Sequence, residues 1–106
     1  MRENNNLPRS YAKPKTLRNK AYLRWLRDQP CALCGQERTE YLDVVPAHAS
    51  GGGIGIKAGD DTCIPLCVRH HSLEHSAPMI FNAMLEAVTG KTRQENAKRY
   101  WERYHG

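Results

Sequence analysis

The sequence contains no apolar run that approaches the roughly 20 residues of a membrane span, so no membrane-spanning helix is predicted. Its first residues are polar, with three consecutive asparagines, and they show no signal-peptide pattern. This absence argues against a secreted domain held together by disulfides. In a reducing cytoplasm, where we expect the protein to reside, a cysteine pair beside clustered histidines indicates metal binding instead.

The chain has 106 residues, enough for one small core with a high surface-to-volume ratio. Its net charge of +5 is distributed unevenly, with +6 over residues 1–30, −4 over 31–90 and +3 over 91–106. Basic ends suit a polyanion such as nucleic acid, although basic termini can also serve solubility alone. Residues 1–15 lack periodicity and include two prolines, which predicts a flexible basic arm before a single domain at 16–106.

The residue pattern predicts an α+β fold. A strand–strand–helix unit at about 41–76 is expected between an N-terminal helix and C-terminal helices. Thr16 is predicted to cap the first helix, which ends near Arg27. Strands are predicted over 41–45 and 63–66, where Pro65 favours an edge strand, and a helix begins at Val68. The apolar face of the first helix is expected to contain Leu17, Ala21, Trp25 and Leu26.

Two further helices are predicted after this unit. Apolar residues recur at helical spacing between Pro78 and Gly90, which suit the start and the end of a helix. Thr92 and Glu95 form a capping box for the last helix. The apolar positions are Ile80, Ala83, Met84, Ala87 and Val88 in one helix and Ala97, Tyr100, Trp101 and Tyr104 in the other. The aromatic residues among them fit a core better than a base-stacking surface.

Two half-sites of matching spacing predict a structural zinc site. Cys31 and Cys34 are separated by two residues in a turn, and Cys67 and His70 repeat that spacing. Together they offer three thiolates and one imidazole, a set that closes a tetrahedral shell around zinc. Cys63 lies in an apolar stretch and is expected to be a buried small side chain, with its exchange for Cys67 as the alternative.

Three further histidines exceed what one zinc ion requires. His71 and His75 are four residues apart, so on a helix they project from one face and could hold a divalent metal. A solvated helix face is the simpler interpretation of that pair. His48 ends the first predicted strand, and in a strand–strand–helix unit it is expected to face His71 and His75. The glycine loop that follows lacks both the P-loop and the G-x-G-x-x-G spacing, so it is not predicted to bind phosphate.

Several motifs occur together between residues 30 and 76: the Cys pair, Pro46-Ala47-His48, Gly52-Gly53-Ile54-Gly55-Ile56-Lys57, Asp60, and Ile64-Pro65-Leu66-Cys67-Val68-Arg69-His70-His71. Together they resemble the HNH endonuclease superfamily, and within it the small phage and prophage nucleases related to the RecA-dependent recombination-enhancement nuclease. The resemblance covers roughly residues 30–76. It implies a zinc-stapled ββα-metal core and a metal-dependent DNA endonuclease, phage- or prophage-encoded, with DNA and a RecA-type recombinase filament as partners.

The resemblance implies a role for each candidate residue. His48 is the general base, and Asp60, with Asp61 as a substitute, is the middle residue that holds the loop or the metal. His71 and His75 bind the catalytic metal, Mg²⁺ or another divalent ion. Many family members have Asp or His at the position of Ala47, so Asp60, water or substrate phosphate must complete the metal shell. Arg9, Lys13, Lys15, Arg18, Lys20 and Lys57 are expected to contact DNA phosphates.

A non-catalytic zinc module that binds DNA or a protein partner is the competing hypothesis. It accounts for the four zinc ligands and for the basic ends of the chain. It leaves His48, His71 and His75 without a role. The two hypotheses therefore differ in whether the protein cleaves DNA in the presence of a divalent metal.

Overall fold

The computed structural model describes residues 17–49 and 58–106. Within these ranges the fold is α+β, as predicted, with a small two-stranded sheet and several helices. The predicted arm at 1–15, Thr16 and the glycine loop at 50–57 lie outside the described residues. The elements are α1 Lys20–Arg27, β1 Val44–Ala47, a short 3-10 helix Asp60–Thr62, β2 Ile64–Cys67, α2 Val68–Ser76, α3 Pro78–Thr89 and α4 Arg93–His105.

None of the described helices is both long enough and apolar enough to cross a membrane.

The two strands pair antiparallel, and α2 follows β2 without a break. The register sets Val44 opposite Cys67 and Ala47 opposite Ile64. Pro46 faces Pro65, so the two residues that lack an N–H group occupy one pair of the ladder. This is the predicted strand–strand–helix order. It places the end of β1, and with it the next residue in the chain, beside the start of β2.

Both strands begin later than predicted. Tyr41 was expected in the first strand but is 91% exposed, because residues 39–42 form a turn instead. The Thr39 hydroxyl accepts the N–H groups of Tyr41 and Leu42 in that turn, at 3.2 and 3.0 Å. Likewise, Cys63 closes the 3-10 helix through its N–H bond to Asp60 O and precedes β2. Before each strand, hydrogen bonds within the local turn or 3-10 helix therefore take the place of hydrogen bonds between the strands.

The first helix begins at Lys20 rather than after Thr16. Asn19 is its cap, since the Asn19 side chain accepts the N–H of Tyr22 at 3.0 Å. The backbone N–H of Asn19 donates to the carboxylate of Asp60 at 2.7 Å, which holds that residue extended. This long-range contact fixes where the helix starts. The predicted apolar face was also wrong in part, because Tyr22 and Leu26 are buried whereas Leu17 and Ala21 are exposed and Trp25 is half-buried.

The third helix has the predicted bounds but buries a different face. Pro78 starts it, and Gly90 ends it in the left-handed conformation at φ 73°. Phe81 and Leu85 are fully buried in the main core, where each contributes about 1.5–3 kcal/mol. The recurrent apolar positions of the prediction point outward instead, with Ile80, Ala83, Met84, Ala87 and Val88 all exposed.

The last helix confirms both predictions made for it. Its capping box is complete, since Thr92 accepts the N–H of Glu95 and the Glu95 side chain accepts the N–H of Thr92. Its aromatic residues pack against α1, with Trp101 edge-on to Tyr22 at a centroid distance of 4.8 Å. Tyr104 contacts the same ring at 5.1 Å. The stripe is therefore part of the core between α1 and α4.

Candidate functional site

The predicted Cys₃His set comes together in one cluster. The thiols of Cys31, Cys34 and Cys67 and the imidazole of His70 have donor atoms that all lie within 4.8 Å of one another. Gly35 follows the cysteine turn with φ 75°, a conformation that favours glycine, and its N–H donates to Cys31 O at 2.8 Å. The turn is tied to the sheet by a 2.8 Å bond from Ala32 N–H to Pro65 O.

The distances within this cluster suit a tetrahedral metal ion. With metal–sulfur bonds of about 2.3 Å and metal–nitrogen bonds of about 2.1 Å, ligand atoms lie about 3.6 to 3.8 Å apart. The Cys34 and Cys67 sulfurs are 4.0 Å apart. His70 Nδ1 lies 3.6 Å from the Cys31 sulfur and 3.3 Å from that of Cys67. The structure thus brings the two predicted half-sites together, with Cys67 rather than Cys63 in the set.

The pKa values of two thiols in the cluster are shifted in opposite directions. Burial would raise the pKa of Cys67, but it stands directly before α2, where the N–H groups of His70 and Arg69 face its sulfur. These contacts, with those of the neighbouring thiols, hold its pKa below the ordinary value. Burial raises the pKa of Cys34, its largest influence, so this thiol loses its proton on binding a metal.

A second constellation centres on His48. Its Nε2 lies 2.8 Å from Oδ1 of Asp60, and because a carboxylate only accepts, Nε2–H is the donor. Asp60 is 2% exposed, while His48 is exposed. Burial would raise the pKa of Asp60, but the N–H of Asn19 and the contacts of His48 and Arg18 bring it below its ordinary value. Asp60 is thus an ionised acceptor that orients the His48 ring, and Nδ1 of that ring has no hydrogen-bond partner among residues 17–49 and 58–106.

The third predicted group, His71 and His75, forms a close pair on α2. Their Nε2 atoms are 3.2 Å apart. Two nitrogens bound at about 2.1 Å to one ion lie about 3.0 Å apart in octahedral and about 3.4 Å apart in tetrahedral geometry, so the pair fits a shared ion. Burial, followed by the proximity of His75, lowers the pKa of His71, which keeps this ring neutral and able to bind a metal.

His48 and the pair line one groove of about 450 Å³, which we call the histidine groove. No third His, Cys, Asp or Glu donor of the described ranges lies within 4.8 Å of both His71 and His75. Asp60 therefore does not complete that pair, as its carboxylate is turned to His48 and Asn19. Ala47 is fully buried, so this position could carry an acidic ligand only by burying its charge. The groove is bounded by Pro46, His48, Ala49, His71, Glu74, His75 and Pro78.

A second groove, the basic groove, borders the other side of His48. It brings the predicted DNA contacts Arg18 and Lys20 alongside His48 and Asp60, with Leu23 and Ala58. Arg18 also donates to Ala58 O at 3.3 Å. The remaining predicted DNA contacts, Arg9, Lys13, Lys15 and Lys57, lie outside the described residues.

Cys63 also lies near this constellation, since its sulfur is within 4.8 Å of the donor atoms of His48 and Asp60. It is fully buried, and burial, followed by the charge of Asp60, raises the pKa of Cys63 to about 12. Without a bound metal ion, the thiol is therefore protonated. This agrees with its predicted role as a small buried side chain.

Arg93 and Glu74 are site residues that the sequence analysis missed. The Arg93 guanidinium donates to Glu74 at 2.8 Å and to backbone carbonyls of Thr62 and Ala47 at 2.7 Å each. The only sequence signal was indirect: the capping box makes Arg93 the first residue of α4. Nothing in the sequence pairs it with segments 19 to 46 residues away.

Comparison with known proteins gives a family but no activity. The family described as "Protein of unknown function (DUF968)" matches residues 4–90. A protein of Escherichia coli (strain K12), "Uncharacterized protein YdfU", is 39% identical over 80 residues, which cover 70% of this chain and 22% of that protein. The chain thus spans about a fifth of that relative's length. No solved structure matches the chain.

Proposed function

The chain belongs to the DUF968 family, and for this member we propose a metal-dependent endonuclease that hydrolyses phosphodiester bonds of DNA. The observation that carries the proposal is the histidine groove. There a histidine oriented by a buried carboxylate shares one groove with two imidazoles spaced for a metal ion. A general base and a metal ion on one groove can together promote hydrolysis of a phosphodiester, the base by activating water and the metal by stabilising negative charge.

We assign the Cys₃His cluster to a structural zinc ion. Its four protein ligands leave no position for substrate, which is typical of structural rather than catalytic sites. The cluster joins the cysteine turn, the end of β2 and the start of α2, so metal binding adds directly to the stability of a small core. Two of its ligands, Cys67 and His70, belong to β2 and α2 of the strand–strand–helix unit, which supports the proposal of a zinc-stapled ββα-metal core.

The His71–His75 pair is proposed to hold the second, catalytic metal. Its donors are two imidazoles with no carboxylate of the described ranges close to both, which favours an ion such as Ni²⁺, Co²⁺ or Zn²⁺ over Mg²⁺. When bound, this ion would polarise a non-bridging phosphate oxygen and stabilise the departing 3′ oxygen. The fit of the pair rests on the 3.2 Å separation of its nitrogens.

The remaining steps belong to the protein's own side chains. His48 Nδ1 accepts a proton from water as its oxygen attacks phosphorus, and the bond from phosphorus to the 3′ oxygen breaks. Asp60 stabilises the resulting imidazolium through its bond to Nε2, as a buried carboxylate does for a histidine base. Arg18 and Lys20 hold the DNA phosphates in the basic groove.

The competing hypothesis of a zinc module that only binds DNA or a protein explains the Cys₃His cluster equally well. It gives no reason for the His48–Asp60 bond or for the spacing of His71 and His75. A cleavage assay separates the two hypotheses. Supercoiled plasmid and circular single-stranded DNA are incubated with zinc-loaded protein and Ni²⁺, Co²⁺, Mn²⁺, Mg²⁺ or added Zn²⁺, with and without a recombinase filament.

We expect cleavage that depends on added metal. His75→Ala should require a higher concentration of the activating metal, because one of its two protein ligands is lost. His105→Ala, an exposed histidine at the end of α4, is the matched control and should behave as wild type. Binding of both DNA forms without cleavage under every metal would favour the non-catalytic module.

A further inference from the structure

Arg93 occupies an unusual position for the first residue of a helix. Its side chain is 12% exposed, and all three guanidinium nitrogens donate a hydrogen bond of 2.7 or 2.8 Å. Two of the acceptors are backbone carbonyls, and the third is the carboxylate of Glu74, which is 14% exposed. A planar guanidinium can satisfy three acceptors in fixed directions, whereas a lysine ammonium cannot reproduce that fork.

The three acceptors belong to the three segments that carry the proposed catalytic residues. Ala47 O, which accepts one bond, directly precedes His48. Thr62 O ends the 3-10 helix that begins with Asp60. The carboxylate of Glu74 lies on α2, one residue before His75. One side chain from α4 therefore joins β1, the 3-10 helix and α2, and its acceptor Glu74 bounds the histidine groove.

Nothing within α2 itself fixes that helix relative to His48. The spacing of His71 and His75 is set inside one helix, and the His48–Asp60 bond is set by β1 and the 3-10 helix. The relation between these two units depends on the β1–β2 pairing, on the zinc cluster and on contacts across the groove, where Arg93 donates two bonds to segments of the base unit and one to α2. Its own position is held by the adjacent capping box of Thr92 and Glu95.

We infer that Arg93 is a positioning residue that fixes the base unit, His48 with Asp60, relative to the metal pair on α2. The roles of His48 as a base and of His71 and His75 as metal ligands rest on the proposed function. The position of Arg93 between the two units does not. A positioning role for Arg93 predicts a specific combination of effects. Loss of the fork should leave metal affinity nearly unchanged and alter the distance from the metal to His48.

The test adds Co²⁺ to zinc-loaded protein and follows the His48 ring protons by NMR, because a paramagnetic ion shifts and broadens signals according to distance. Absence of cobalt–thiolate absorption verifies that zinc stays in the cysteine cluster. The variants are Arg93→Lys, which keeps the charge but not the fork, and Glu74→Gln, which keeps both carbonyl bonds and replaces the charge-assisted bond from Nε by a weaker neutral one. Arg99→Gln, an exposed arginine on the same helix, is the control.

In wild type and Arg99→Gln, Co²⁺ should perturb the His48 ring equally. In Arg93→Lys and Glu74→Gln that perturbation should change, while the Co²⁺ dissociation constant stays within about threefold. Turnover at saturating metal and DNA should fall by about 10- to 100-fold, the scale that a misplaced reacting group costs, with KM little changed. If Arg93→Lys does not fold, Glu74→Gln decides the matter alone.

Two results would overturn the inference: a His48 perturbation in the folded variants identical to that of Arg99→Gln, or no perturbation in wild type. The NMR measurement needs no cleavage. A wild-type protein that cleaves no DNA but shows the predicted perturbations would therefore reject the nuclease and retain the positioning role. Full turnover in Glu74→Gln with an unchanged perturbation would reject the positioning role and retain the nuclease.

Discussion

The imidazole of His48 and the carboxylate of Asp60 meet at 2.8 Å, although they are twelve positions apart in the chain, with the glycine loop between them. Asp60 is held in turn by the N–H of Asn19, so the start of α1 is part of the same network. The general base predicted from the sequence thus has the orienting acceptor that such a base needs. Asp60, which was predicted to hold the loop or the metal, accepts a hydrogen bond from Nε2–H of His48.

Replacement of Asp60 by Asn should destabilise the protein by about 1–3 kcal/mol near neutral pH, because a buried charged acceptor loses its charge-assisted bonds. The pKa of Asp60 is lowered in the folded state, so its contribution is present above the unfolded pKa and is lost as pH falls through the folded one. The difference in unfolding free energy between wild type and Asp60→Asn should therefore be full above about pH 5 and shrink below about pH 4.

Urea unfolding at a series of pH values measures this difference. Zinc content is measured at each pH, and the comparison uses only the pH values at which both proteins keep the ion, because loss of zinc would itself unfold them. Asp61→Asn alters an exposed carboxylate of the same 3-10 helix and should differ little from wild type at any pH. A difference for Asp60→Asn that does not depend on pH would refute the assignment of an ionised, stabilising Asp60.

Replacement of Cys34 by Ser should abolish stoichiometric zinc binding and largely unfold the protein, since the cluster links the cysteine turn to β2 and α2. Zinc content per chain and far-UV circular dichroism are the measurements. Cys63→Ala is the matched control, because Cys63 is a free, buried thiol outside the cluster and its loss should cost stability but no zinc. A Cys34→Ser protein that is folded and free of metal would refute the assignment of a structural zinc site.

Neutralising the basic groove should weaken DNA binding in a salt-dependent manner. With Arg18→Gln and Lys20→Gln combined, the slope of log affinity against log salt should flatten by up to about 0.9 per lost duplex phosphate contact. Fluorescence anisotropy at several salt concentrations gives the slope. The pair Arg38→Gln and Lys91→Gln removes the same charge from outside both grooves that His48 borders. Equal slopes for the two double variants would mean that Arg18 and Lys20 do not contact the backbone.

The features that the sequence predicted well are those set by local spacing. The half-sites Cys31–Cys34 and Cys67–His70 each form within one turn, so their pairing could be inferred before any tertiary contact was known. The capping box of Thr92 and Glu95 is likewise local. The proximity of His71 and His75 followed from the helix period alone, since residues four apart on a helix lie on one face.

The features that escaped prediction depend on contacts between distant segments. α1 begins at Lys20 because the backbone N–H of Asn19 donates a hydrogen bond to the carboxylate of Asp60. α3 offers two apolar faces, and only packing decides that Phe81 and Leu85 are buried while Ile80 and its neighbours are exposed. The role of Arg93 required three segments to converge on one guanidinium. No periodicity or spacing in a single chain carries that information.

The most direct test of the central claim compares DNA cleavage by wild type and His48→Ala at saturating activating metal. His48 takes no part in the zinc cluster, so the variant should keep its fold, its zinc content and its DNA affinity. Its cleavage rate should fall by about 10²-fold or more, the scale of a missing general base. Cleavage by His48→Ala at the wild-type rate would contradict the account.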